Sequence, residues 1–107
     1  MSGFDKRREG FEAKFAHDEE LKFKAIARRN KMLGLWAGEK FGLTPAAAEE
    51  YAREVAKADQ QEPGDADIMR KLMRDFSAHG VAITEAQIRM EMERLLAAAV
   101  QQVSTSI

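Results

Sequence analysis

Apolar positions along this chain recur at helical spacing, and the register of that recurrence changes at defined points. Phe4, Phe11 and Phe15 are separated by seven and four residues. At about 100° per residue they fall within roughly 40° of one another, a narrow stripe on an otherwise polar segment. The next positions of that stripe hold Asp18 and Lys22. Gly3 and Gly10 weaken the segment further, since glycine costs about 1 kcal/mol in a helix interior. The pattern predicts a separate, flexible N-terminal arm over residues 1–18 that becomes helical only against a partner.

From Glu19 to Phe41 the stripe widens. Leu21, Ala25, Met32 and Trp36 share a face, Ile26, Leu33 and Ala37 broaden it, and Phe23 and Phe41 lie further round. So much apolar circumference predicts a central helix contacted from more than one side. Gly42 then supplies a helix-ending glycine, with Leu43 as the apolar contact that accompanies it. Thr44-Pro45 reads as a cap followed by a first-turn proline. The second helix, running to about Gln61, places Ala48, Tyr51, Ala52 and Val55 on one face. Glu62-Pro63-Gly64 is a turn. Asp65 is placed to cap a third helix carrying Ile68, Met69, Leu72, Met73 and Phe76, which ends at His79-Gly80. Thr84 with Gln87 forms a capping box, and Ile83 with Ile88 occupies staple positions. The fourth helix carries Ile88, Met92, Leu95, Leu96 and Ala99.

The expected fold is therefore all-α: a compact antiparallel four-helix bundle over residues 19–102, with a flexible N-terminal segment at 1–18 and a frayed tail at 103–107. The Gly34–Gly38–Gly42 row reads as close internal packing, and the methionines as adaptable core filler.

Composition narrows the function. The 107 residues suit one domain. Seventeen basic residues nearly cancel 18 acidic ones, for a net charge of −1, so no global signal for nucleic acid or a membrane surface exists. With no cysteine, disulfides, thiolate nucleophiles and cysteine-ligated metals are excluded. The N-terminus lacks the apolar stretch of a secretory signal. The apolar run Leu95–Val100 is far too short to span a bilayer. A cytoplasmic location is expected.

Catalytic chemistry finds little footing. His17-Asp18-Glu19-Glu20 has the residue types of a metal site, but adjacent helical residues point in different directions. It reads better as a solvated helix start whose acids suit the dipole. His79 has no nucleophile at a telling spacing, and no glycine-rich phosphate loop is present. The chain is not expected to be an enzyme, nor to hold a metal or a resident cofactor. The clearest local electrostatic feature is the acid-free stretch Leu21–Gly38, with Lys22, Lys24, Arg28, Arg29 and Lys31. Opposite in sign is Ala58–Asp67, with Asp59, Glu62, Asp65 and Asp67 and no base. The two regions either solvate the bundle or pair with each other, or the basic one attracts an anion, such as the phosphates of weakly bound ATP or ADP. That leaves two alternatives to a protein-binding role, a nucleotide sensor and a nucleic-acid-associated helical protein; the second is disfavoured because the domain as a whole is not basic.

The blocks FEAKFAHDEEL (11–21) and ARRNKMLGLWAGEKFGL (27–43) resemble the ATPase inhibitor zeta-subunit family of alphaproteobacteria. YAREVAKAD (51–59) and the opening FDKRREGFEAKF (4–15) fit the same family. The resemblance spans nearly the whole chain, with mild departures at Ile26 and in the loop Ala78–Thr84. It implies a small four-helix subunit that binds the catalytic head of F-type ATP synthase, built of alpha, beta and gamma subunits. Hydrolysis of ATP is hindered there by an N-terminal segment inserted at a catalytic interface. It also implies peripheral association with the membrane-bound synthase, no direct membrane insertion, no nucleic acid partner, and a monomer when free. In such a docked arm Phe4, Phe11 and Phe15 are the expected anchors. Lys6, Arg7, Arg8, Glu9, Glu12 and Lys14 flank them and are expected to tune encounter rate and register.

Overall fold

The computed structural model describes residues 19–58 and 65–105. Four α-helices account for them: α1 Glu19–Lys40, α2 Pro45–Ala58, α3 Ala66–Ala78 and α4 Glu85–Thr105. Among the described residues there is no strand, and no helix is long and apolar enough to cross a membrane.

The helix boundaries follow from local chemistry. α1 begins on Glu19 and Glu20 and ends on Lys40, charges that complement the macrodipole. At its end the Gly42 N–H donates to the Glu39 carbonyl and the Leu43 N–H to the Gly38 carbonyl, both at 3.0 Å. This is a Schellman end, and it requires the left-handed backbone that Gly42 adopts at φ 76°. The end of α3 repeats the device, with Gly80 at φ 68° and the Val81 N–H donating to the Phe76 carbonyl at 2.9 Å. Thr44 Oγ1 accepts the Ala47 N–H at 3.3 Å. The expected capping box is formed: Thr84 N–H donates to Gln87 Oε1 at 2.8 Å, and Gln87 N–H to Thr84 Oγ1 at 3.1 Å.

α1 is the central element and packs against both α2 and α4. The α1–α2 crossing is close because of Gly34 and Gly38. A Cβ at Gly34 would lie 2.5 Å from the Ala52 Cα, and one at Gly38 3.0 Å from the Ala48 Cβ. The main core gathers Leu33, Val55, Ile68, Leu72, Phe76 and Ile88, all at most 1% exposed. Phe41 completes it, meeting Tyr51 and Phe76 edge-on with ring centroids 5.3 and 4.8 Å apart. A smaller core lies at the other end of α1, where Leu21 and Ala25 pack with Val103, flanked by Leu96 and Val100.

Four sequence expectations change here. Asp65 sits at the cap position of α3, but its side chain makes no capping hydrogen bond; Arg29 draws the carboxylate away. The C-terminal end is not frayed from residue 103: α4 runs to Thr105, and Val103 is 5% exposed. Phe23 lies outside the core, at 74% exposure, because α1 turns its opposite side to α4. Met90 likewise departs from the core-filler pattern at 70% exposure, whereas Met69 and Met92 conform to it.

Candidate interaction surface

The residues expected to bind a partner, Phe4, Lys6, Arg7, Arg8, Glu9, Phe11, Glu12, Lys14 and Phe15, lie outside the described residues, as do His17 and Asp18. The described chain starts immediately after them, at the first turn of α1.

The basic stretch of α1 does not lie wholly on its outer surface. The Arg29 side chain turns inward and is 3% exposed. Its guanidinium meets Asp65 in a two-pronged pair, Nη2 to Oδ1 at 2.8 Å and Nη1 to Oδ2 at 3.3 Å. Nη2 and Nε also donate to Asn30 Oδ1, at 2.8 and 3.1 Å. This planar fork ties the middle of α1 to the start of α3, a geometry a lysine cannot reproduce. Lys24, Arg28 and Lys31 point to solvent, and Lys22 is half-buried. Lys24 pairs with Glu20 at 3.3 Å, and Arg28 donates to Gln102 of α4 at 3.3 Å. Of the acidic region, Asp65 and Asp67 are described; Asp67 pairs with Arg70 on its own helix. Among the described residues the two charged regions meet through Arg29 and Asp65.

Between these cations α1 exposes apolar surface. Phe23 and Ile26, 74% and 36% exposed, lie three residues apart and so share a helix face. The available signal was one turn back: Glu19 and Glu20 stand four and three positions before Phe23 and share its face.

Elsewhere the chemistry is structural. The Tyr51 hydroxyl donates to Asp75 Oδ2 at 2.7 Å, and Lys71 Nζ donates to the same oxygen at 3.0 Å while lying over the Tyr51 ring. Burial, the hydrogen bond to Asp75 and its charge push the Tyr51 phenol up. For Asp75, burial pulls upward, but the hydrogen bonds from Tyr51 and Lys71 and the nearby cations outweigh it, holding the carboxyl below its ordinary value. Both pKa values thus move away from pH 7, the reverse of what a general acid or base requires. His79 is exposed and stacks on Phe41 with centroids 4.1 Å apart. A cleft of about 390 Å³ between the starts of α3 and α4 is lined by Asp65, Ala66, Met69, Arg70, Glu85 and Arg89. Its cations are engaged, Arg70 with Asp67 and Arg89 with Glu85 at 3.8 Å. Among the described residues no cluster of three potential metal ligands occurs.

Comparison with known proteins supplies the family. No curated protein matches the chain. Among the solved structures that match is a protein determined by solution NMR, 41% identical, with a TM-score of 0.71. The match covers 81% of this chain and 99% of that one. The family model of the ATPase inhibitor subunit zeta matches residues 1–102, taking in residues 1–18 together with nearly all of the four helices. The chain belongs to the ATPase inhibitor subunit zeta family, and its role is that of an inhibitory, regulatory subunit acting on ATP synthase.

Proposed function

We propose that this chain blocks ATP hydrolysis by docking residues 1–18 at a catalytic interface of the synthase head, formed by alpha, beta and gamma subunits, while the bundle serves as the rigid base of that arm. The observation that carries the reading is the family match, which begins at residue 1 and so includes the arm. The phenylalanine stripe adds to it. Phe4, Phe11 and Phe15 offer three aromatic anchors on one face of a segment whose remaining positions are mostly polar. Interface energy concentrates in such anchors. A short segment broken by Gly3 and Gly10 carries a nucleation cost that a binding groove offsets.

The nucleotide-sensing alternative is weakened by the geometry of α1. Arg29, in the middle of the basic stretch, is committed to Asp65 and Asn30, which withdraws one of the five cations from any anion site. The test of the leading reading is hydrolysis by purified synthase head titrated with the full chain and with an arm variant. Phe11→Ala with Phe15→Ala abolishes inhibition if the arm docks as described.

A further inference from the structure

We propose that Lys24, Arg28 and Lys31 form a basic ridge along α1 that docks against an acid-striped helix of the synthase head and guides the bundle onto it. The proposal rests on the reading above for the identity of the partner and adds the part of the folded bundle that meets it.

Three observations converge on this ridge. The first is alignment. Lys24, Arg28 and Lys31 stand at i, i+4 and i+7. They fall within about 60° of one another round α1 and span about 10 Å along it. All three are exposed. The second is the lack of charge beside them. Leu21–Gly38 contains no acid. The neighbouring helix is α4, which reaches the ridge where Arg28 Nη1 donates to Gln102 Oε1 at 3.3 Å. It carries no charged side chain from Leu95 to Thr105. Among the described residues the ridge pairs with one acid, Glu20, at 3.3 Å from Lys24. Those two side chains are 57% and 78% exposed, and a pair so open to solvent contributes little and opens readily. The third is the frame. α1 is the central helix, packed against α2 and α4, so the three cations stand in a fixed row.

These features select the chemistry of the occupant. Cations at i, i+4 and i+7 are matched by a helix lying alongside with carboxylates at the same spacing, as in the charged pairs that flank helix–helix seams. A second copy of the chain would set ridge against ridge and bring like charges together. Nucleic acid is a poor match, because one short row of cations on a chain of net charge −1 gives few phosphate contacts.

The test uses the full chain and purified synthase head. Association with the immobilised head is timed for the wild type, Arg28→Glu, Lys31→Glu and Lys57→Glu. Lys57 is an exposed cation of α2, so its reversal makes the same change in net charge away from the ridge. Carbodiimide coupling, which joins a lysine amine to a carboxylate in direct contact, is run on the wild-type complex and read by peptide mass spectrometry. The ridge variants should associate about tenfold more slowly at low salt, with the difference mostly gone at about 0.5 M salt. Lys57→Glu should follow the wild type within about twofold, and all four should melt alike. Lys24 or Lys31 should couple to an aspartate or glutamate on a helix of a head subunit. Equal slowing by Lys57→Glu, or coupling only within the chain or to another copy of it, would overturn the ridge. Binding of a labelled single-stranded oligonucleotide that Lys31→Glu abolishes, with no coupling to the head, would replace the acidic helix with nucleic acid. Failure of the arm reading looks different: Phe11→Ala, Phe15→Ala then inhibits like the wild type, while the ridge variants still associate slowly and the coupling persists.

Discussion

Gly34 marks the tightest contact in the bundle. Its missing Cβ is what lets the backbone of α2 approach, since that atom would meet the Ala52 Cα at 2.5 Å. Backbone cannot move aside as a flexible side chain can, so Gly34→Ala should destabilise by about 1–3 kcal/mol, the usual range for overpacking. For a domain of this size each kcal/mol lowers the melting temperature by about 4–8 °C, which thermal unfolding resolves. The Tyr51–Asp75 pair predicts a pH profile. Asp75 has a lowered pKa when folded, so its contribution is present above the unfolded carboxyl value of about 3.9 and is lost as pH falls through the folded value. Tyr51 has a raised pKa when folded, so its contribution is complete below the unfolded phenol value of about 10 and is lost as pH rises beyond that. Denaturant midpoints across pH should show both shoulders, and Tyr51→Phe should remove the alkaline one. The packing role of Gly34 and Gly38 was legible because small residues four apart share a helix face. The Tyr51–Asp75–Lys71 network was not, because nothing local marks which exposed-face acid meets a tyrosine 24 positions away.

Element ends were the most legible part of the fold. Thr84 with Gln87, Gly42 with Leu43, and Gly80 act within a few residues of themselves, so their chemistry is written locally. Asp65 shows where local reading stops. Its residue type and position are those of a cap, but a buried guanidinium 36 residues away takes its carboxylate, and a charge-assisted two-pronged pair outweighs one capping bond. Arg29→Lys should therefore destabilise by about 1–2 kcal/mol although the charge is kept, because the fork to Asp65 and Asn30 is lost. Chemical denaturation would read this directly, and an unchanged midpoint would contradict it. The C-terminal end of α4 was readable and was cut short: the run Ile88, Met92, Leu95, Ala99 continues in register to Val103. Val103→Ala should cost about 1–2 kcal/mol through lost burial against Leu21 and Ala25.

At the scale of the whole molecule, the proposed arm would join the bundle at Glu19. The bundle has its own core, and the face of α1 that begins it is closed by α4. A chain starting at Glu19 should therefore melt cooperatively near the full-length temperature; a broad, uncooperative transition by circular dichroism would contradict this. The all-α class, helix order and central place of α1 were legible from periodicity alone. The proposed binding residues are legible only as a stripe on a wheel, and they lie outside the described residues. In the proposed function the phenylalanine stripe, rather than the bundle, stops hydrolysis. The most direct measurement is ATP hydrolysis by purified synthase head titrated with wild-type chain and with Phe11→Ala, Phe15→Ala, each confirmed to melt at the same temperature. Losing anchors worth about 2 kcal/mol weakens affinity roughly thirtyfold, so the account predicts inhibition by the wild type and none by the variant over the same concentration range. Equal inhibition by both would contradict it.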